Sequence, residues 1–227
     1  MEPELLLSNI EIIMTREHPN MPTEIVLLTG GVEGEYLANV LGHVNPELSV
    51  ICVETEDELR EVCLSAGPGE GADDGRRCRL IAYCTDVIVP QDVLDGVASP
   101  AYNFHPGPPE YPGSSAASFA IYDGAETFGV CAHEMQARVD SGAIVGVDAF
   151  DIPENTRFID LEILAYKQML KLFQRLAPDL AGSDQPLPPI DAGWGKRKTS
   201  KADVRRMKEL TPDMSEDEIR LRWRAFG

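Results

Sequence analysis

The chain has 227 residues, with 20 Lys and Arg against 38 Asp and Glu, giving a formal net charge of −18. A hydrophobic content of 43% with 26% charged residues suits a folded core and argues against overall disorder. A field this negative repels phosphate backbones, which weighs against a protein built mainly to grip nucleic acid. The five cysteines (Cys52, Cys63, Cys78, Cys84, Cys131) are scattered and form no CxxC pair. They indicate neither a zinc site nor a disulfide framework, and reduced thiols in a cytoplasm are expected.

Residues 1–22 read as an N-terminal arm. Its apolar stretch is interrupted by Glu2, Glu4 and Glu11 and lacks a basic n-region and a cleavage motif, so it is not a signal peptide. No stretch approaches the roughly 18 apolar residues of a membrane span, and no membrane association is expected. Glu24–Thr29 (EIVLLT) is a β-rich run ending at Gly30-Gly31, followed by a helix-compatible stretch over Glu33–Leu41. Leu48–Val53 reads as a second buried strand. Thr55–Ala66 reads as a helix capped by Thr55, with Glu56, Asp57 and Glu58 in its first turn. A polar loop covers 67–77. Arg79–Tyr83 and Ala101–Phe104 are further core strands, separated by a short helix around Gln91–Leu94. Strands alternating with helices predict parallel βαβ units.

The second half changes character. Ser114–Tyr122 reads as a helix that a Ser pair can cap. Thr127–Met135 and Ala143–Ile152 are strand-like runs joined by a short turn, so they should pair antiparallel. Phe158–Ala177 is amphipathic, with Leu161, Leu164, Ala165, Met169, Leu172 and Phe173 at helical spacing. A Pro/Gly-rich linker over 182–195 leads into a basic tail. Residues 196–227 hold ten of the twenty basic residues against six acids, a net +4, which leaves −22 on the rest. Such a tail can dock on the acidic body, on a second copy or on an anionic acceptor.

Two clusters could carry chemistry. Gly30-Gly31-Val32-Glu33-Gly34 sits where a phosphate loop would, between strand and helix. Its spacing fits no phosphate-binding pattern and Glu33 would repel phosphate, so it reads as a tight structural turn. Asn103-Phe104-His105-Pro106-Gly107 is more specific. Residues two apart in a strand face the same side, so Asn103 and His105 project together at a strand C-terminal end, where ligands bind in open α/β sheets. By itself the pair also fits a histidine hydrogen-bonded at a strand end. Asp140, in VDSG, reads either as an Asx-turn residue or as the carboxylate that orients and charges an imidazole.

NFHPGPPEYPG followed by GVCAHEMQARVDSGAIV resembles the signature of the folate-dependent formyltransferases, which include methionyl-tRNA, glycinamide ribonucleotide and sugar N-formyltransferases. The resemblance covers roughly Glu24–Leu180 and is strongest over Ala82–Val145. It implies an α/β fold of that type: a Rossmann-like, mostly parallel twisted sheet with flanking helices, plus a short helical C-terminal tail. The implied organisation is the arm at 1–22, a catalytic domain over 23–182, and the linker and basic helical tail over 183–227. The family triad falls on Asn103, His105 and Asp140. AYCTDVIVP is similar to the family's folate-pocket stretch, which places Tyr83, Cys84, Val87, Val89 and Pro90 at the co-substrate, joined by Val139 and Ser141 and acting largely through backbone groups.

The implied co-substrate is 10-formyltetrahydrofolate, with no metal. An acceptor amine attacks the formyl carbon, the Asn103 amide and the His105 imidazolium stabilise the oxyanion, and Asp140 raises the His105 pKa. His133 matches a histidine of several amine-formylating branches, with a packing role as the other reading. The loop after the His-Pro pair, GPPEYPG with Tyr111, departs from the family's SLLPxxRG pattern and borders the acceptor pocket. The expected acceptor is a small-molecule primary amine, an amino-sugar nucleotide among the candidates. A 10-formyltetrahydrofolate hydrolase is one alternative. A methionyl-tRNA formyltransferase-like protein without the family's further C-terminal domain is another, although the charge disfavours nucleic acid. The tail and the long helix offer a surface for a homodimer.

Overall fold

The structure, a computed structural model, describes residues 21–64, 78–97 and 99–227. The anticipated N-terminal arm up to Asn20 and the polar loop 67–77 lie outside the described residues. A six-stranded sheet runs in the order β2-β1-β3-β4-β5-β6, formed by β1 (Glu24–Leu28), β2 (Ser49–Val53), β3 (Cys78–Tyr83), β4 (Tyr102–His105), β5 (Thr127–Glu134) and β6 (Ile144–Asp151). The first four strands pair parallel; β5 and β6 run antiparallel. The expected parallel units and the antiparallel hairpin are both present.

The continuous apolar runs of β1 and β3 follow from burial on two faces. Ile25, Leu27, Ile81 and Tyr83 join one apolar cluster, whereas Val26, Leu28, Leu80 and Ala82 join another, in strict alternation. On the first face lie α1 (Gly31–Val44), α4 (Ala116–Tyr122) and α5 (Phe158–Gly182), contributing Leu37, Leu41, Phe119, Met169 and Phe173. On the second lie α2 (Glu56–Leu64) and α3 (Gln91–Gly96), contributing Leu59 and Val93. Thr55 and Glu58 form a reciprocal cap at the start of α2, with bonds of 3.3 and 3.2 Å between each side chain and the other's backbone N–H.

Two expectations are corrected. The Ser pair does not cap α4: Ser115 sits in the left-handed region (φ 58°) and makes no side-chain cap bond, and the Ser114 N–H goes to the Thr199 carbonyl at 3.1 Å. The long helix does not stop at Ala177 but passes through Pro178 to Gly182. Arg79, fully buried on β3, explains the extension. Its guanidinium donates to the carbonyls of Asp179 (3.2 Å), Leu180 (2.5 Å), Ser183 (2.9 Å) and Gln185 (2.9 Å), and lies 5.6 Å from the Tyr102 ring centroid. Helix C-termini leave carbonyls without intrahelical partners, and a buried cation needs acceptors; here each satisfies the other.

Beyond α5 the chain crosses the body before forming α6 (Lys201–Lys208) and α7 (Glu216–Phe226). The Leu187 N–H donates to the Tyr102 hydroxyl at 2.8 Å, the Ile190 N–H to the Ile144 carbonyl at 2.8 Å, and Phe226 stacks edge-on to Phe119 with centroids 5.1 Å apart. The basic tail spends its charge on carboxylates, within itself (Arg206–Asp203, Arg220–Glu216, Arg222–Glu218) and on the body (Arg197–Asp123, Lys201–Asp86). Arg197 and Lys201 thereby reach the acidic body, one of the three docking targets open to the tail. Arg79→Met, which strands several carbonyls at once, is expected to destabilise the protein by about 3 kcal/mol in urea unfolding, whereas a loss under about 1 kcal/mol would deny the guanidinium this capping role.

Candidate active site

The register of β4 against β5 assembles the site. Asn103 stands opposite His133, and His105 opposite Cys131. Tyr102 and Phe104 enter the first apolar cluster, so Asn103 and His105 project from the other face, and none of Asn103, His105, Cys131 and His133 belongs to either cluster. Three irregular segments surround these residues: the turn after β4, the β5–β6 connection, and the strand-like passage that follows α5.

His133 is 3% exposed and its Nδ1 lies 2.8 Å from the Glu134 carbonyl, to which it must donate. In the neutral ring Nε2 is therefore an acceptor, and it takes a hydrogen bond from the Asn103 amide Nδ2 at 3.1 Å. Asp140 occupies the left-handed region (φ 48°) in the β5–β6 connection, which turns its carboxylate inward. Its Oδ1 lies 3.7 Å from His133 Nε2, while Oδ2 accepts the Gly113 N–H at 2.8 Å and lies 3.9 Å from Lys198 Nζ. Gly113 needs to be glycine: its φ is 99°, and a Cβ would stand 2.1 Å from the Thr199 carbonyl oxygen.

His105 is 9% exposed, and its Nε2 is buried with no hydrogen-bond partner in the protein. Gly107 leaves room beside that atom, since a Cβ there would approach Nε2 to 2.8 Å. Burial pushes the His105 pKa below its ordinary value, against the opposing effects of the Asp140 charge and a hydrogen bond to the Tyr111 backbone. Asp140 does raise the His105 pKa, as expected, but desolvation is the larger influence and the net direction is downward, which favours the neutral ring. Burial also lowers His133, opposed by its bond to Glu134 and by Asp140. The same burial raises the Cys131 thiol, which makes it a poor nucleophile.

The remaining anticipated residues are placed variously. The Tyr83 side chain is wholly buried among Phe104, Phe173 and Tyr166, so only its backbone can meet a ligand. Cys84 leaves β3 in the left-handed region (φ 49°) and begins an irregular stretch to Pro90, which precedes α3; Val87 and Val89 rest on the second apolar cluster. Val139 is 41% exposed and accepts from Lys198 Nζ through its carbonyl, and the Ser141 hydroxyl donates to the Arg138 carbonyl. The Tyr111 side chain lines a separate cavity of about 490 Å3 with Glu110, Phe128 and Arg197, apart from the imidazoles. Among the described residues no cluster of His, Cys, Asp and Glu could hold a metal ion, and no helix is long and apolar enough to cross a membrane. Two residues beside the site went unread, Trp194 and Lys198. The only hint was a tryptophan, one of two in the chain, in an otherwise Pro/Gly-rich linker.

Strand-end carboxamide, paired imidazoles and an inward aspartate on an open α/β sheet are groups able to carry acid–base chemistry. Residues 80–164 match the family model described as formyl transferase. The methionyl-tRNA formyltransferase of Rickettsia bellii (strain RML369-C) is 31% identical over 123 residues, 54% of this chain and 39% of that protein. The chain thus spans about two fifths of the length of that curated relative. The fold is shared with a sugar N-formyltransferase from Shewanella sp. FDAARGOS_354, at TM-score 0.67 and 16% identity over 89% of this chain and 87% of the other. It is also shared with the formyltransferase PseJ from Anoxybacillus kamchatkensis, solved with UDP-4,6-dideoxy-4-formamido-L-AltNAc and tetrahydrofolate, at TM-score 0.61 and 18% identity over 84% and 92% of the two chains. Residues 80–164 thus resemble the formyl transferase family, and the overall fold is one that formyltransferases share.

The depressed imidazoles give a signed expectation for stability. Below about pH 6.5 the unfolded chain binds protons that the folded one refuses, so this contribution is complete above that pH and is lost as pH falls, at up to about 1.4 kcal/mol per pH unit for each ring. Urea unfolding between about pH 7.5 and 5 should show a shallower slope in His105→Gln and His133→Gln than in the parent; identical slopes would mean that neither ring is held neutral.

Proposed function

We propose that the protein transfers a formyl group from 10-formyltetrahydrofolate to a primary amine of a small acceptor, with an amino-sugar nucleotide as the leading class. The observation that carries this reading is the grouping of Asn103, His133, Asp140 and the unpartnered Nε2 of His105 about the seam between β4 and β5. The folate supplies the formyl group. The irregular stretch after Cys84, which lies outside the strands up to Pro90, supplies backbone groups suited to its polar ring edge.

In this reading Asn103 directs its second Nδ2 hydrogen at the oxygen that gains charge as the amine adds to the formyl carbon. Neutral His105 takes the proton that the attacking amine sheds, then returns it to the nitrogen that departs. Asp140 stabilises the imidazolium formed in passing, which a buried ring could not hold alone. The acid-rich body, at −22 outside the tail, and the internal pairing of the tail's cations favour a small acceptor over tRNA. The scattered cysteines, with no CxxC pair, accord with a cytoplasmic setting.

Loss of one oxyanion donor in Asn103→Ala should slow turnover about 10²–10³-fold. His105→Ala should abolish turnover while folate binding persists. Tetrahydrofolate release, followed by absorbance over a panel of amino-sugar nucleotides, checks both. Unchanged rates in either variant would remove that residue from the site, and formate release without amine would make the protein a hydrolase.

A further inference from the structure

The passage between α5 and α6 crosses the site as a strap. The Gly195 N–H donates to the Pro109 carbonyl at 2.8 Å, the Thr199 N–H to Pro112 at 3.0 Å, and the Thr199 hydroxyl to Ser114 at 2.7 Å, so the strap is bonded along the turn after β4. On its other side it meets the β5–β6 connection, through Lys198 on the Val139 carbonyl and through Trp194 Nε1, which donates to the Gly142 carbonyl at 2.9 Å. Between these anchors the half-buried Trp194 ring stands edge-to-face with His133, centroids 4.8 Å apart at 85°, and lies 6.5 Å from the His105 ring.

We propose that Trp194 is a positioning residue of the formyl-transfer site, holding the His133 ring so that Nε2 faces the Asn103 amide and fixes which end of that amide meets the reacting carbonyl. This rests on the function proposed above. A terminal amide turned by 180° presents an oxygen where a donor is required, and two like dipoles at a developing oxyanion repel. The accepting Nε2 of His133 excludes that orientation, because only the Nδ2 end can donate to it. The bond from Nδ1 to the Glu134 carbonyl sets one edge of the His133 ring, and the Trp194 wall blocks the swing that would break it. The indole is itself fixed by Gly142, two residues from Asp140, so one side chain registers both the imidazole and the carboxylate loop.

The test uses the full chain with Trp194→Ala and Trp194→Phe. Trp194→Ala should lower kcat about 10–100-fold with KM for the formyl donor within about twofold. Trp194→Phe, which keeps a ring against His133, should recover most of the rate. Imidazole 15N shifts provide a readout independent of turnover: the parent should show His133 as a single tautomer protonated on Nδ1, and Trp194→Ala should show averaging of the two ring nitrogens. A kcat within twofold of the parent in Trp194→Ala, a phenylalanine variant as slow as the alanine variant, or an unaltered His133 tautomer in Trp194→Ala would each overturn the proposal. A parent that forms no formylated amine yet shows the tautomer shift would instead defeat the functional reading and leave the positioning of His133 by Trp194 standing.

Discussion

The antiparallel register between β4 and β5 is the constraint on which the site depends. It sets His133 across from Asn103 and His105 across from Cys131, and side chains on a strand alternate with a period of two. A slip of one residue would turn Tyr102 and Phe104 out of the apolar cluster and bury the polar pair in their place. The hydrophobic cluster under α4 and α5 therefore fixes the face that carries Asn103 and His105 as firmly as any polar contact does. The sheet also changes from parallel to antiparallel pairing at this seam, and a β5–β6 connection at one end of it brings Asp140 back to the imidazoles.

Burial and charge compete within that site, and their ranking determines its resting state. His105 and His133 both lie near a carboxylate, yet desolvation is the largest influence on each, so both stay neutral. A neutral imidazole with an unpaired Nε2 is poised to receive a proton. The Asp140 charge raises the His105 pKa but is outweighed by burial, and under the proposed function it stabilises the ring once protonated. The carboxylate itself is held by the Gly113 N–H, and Gly113 can lie there only because its missing side chain admits the Thr199 backbone.

Much of this was legible in the order of residues, and the portion that was not has a common physical origin. Near-continuous apolar runs such as EIVLL and CRLIAY announce strands buried on two faces, and the spacing of Asn103 and His105 announces a shared face. Local signals also gave the Thr55 cap and the β5–β6 hairpin. Arg79 gave no such signal, because its partners lie 100 residues and more away on α5 and just beyond it. Nothing adjacent to Trp194 in the chain indicates that it meets His133, and Ser114 could not be denied a capping role without knowing that its N–H is taken by Thr199. The neutrality of His105 was hidden for the same reason: depth of burial is a property of the whole fold.

The guanidinium that closes α5 has an effect well away from the helix. It binds the carbonyls of Ser183 and Gln185, so the strap departs from a point tied to the middle of the sheet, and Thr199 ties its far end to the turn after β4. A segment tethered at both ends has a fixed arc length, and each residue of extended chain is worth about 3.3–3.6 Å. One residue added or removed between Gln185 and Thr199 would displace the indole by a distance comparable to its separation from the His133 ring. The spacing along this stretch is thus under tighter geometric control than its composition, and its Pro-rich sequence acts as a ruler.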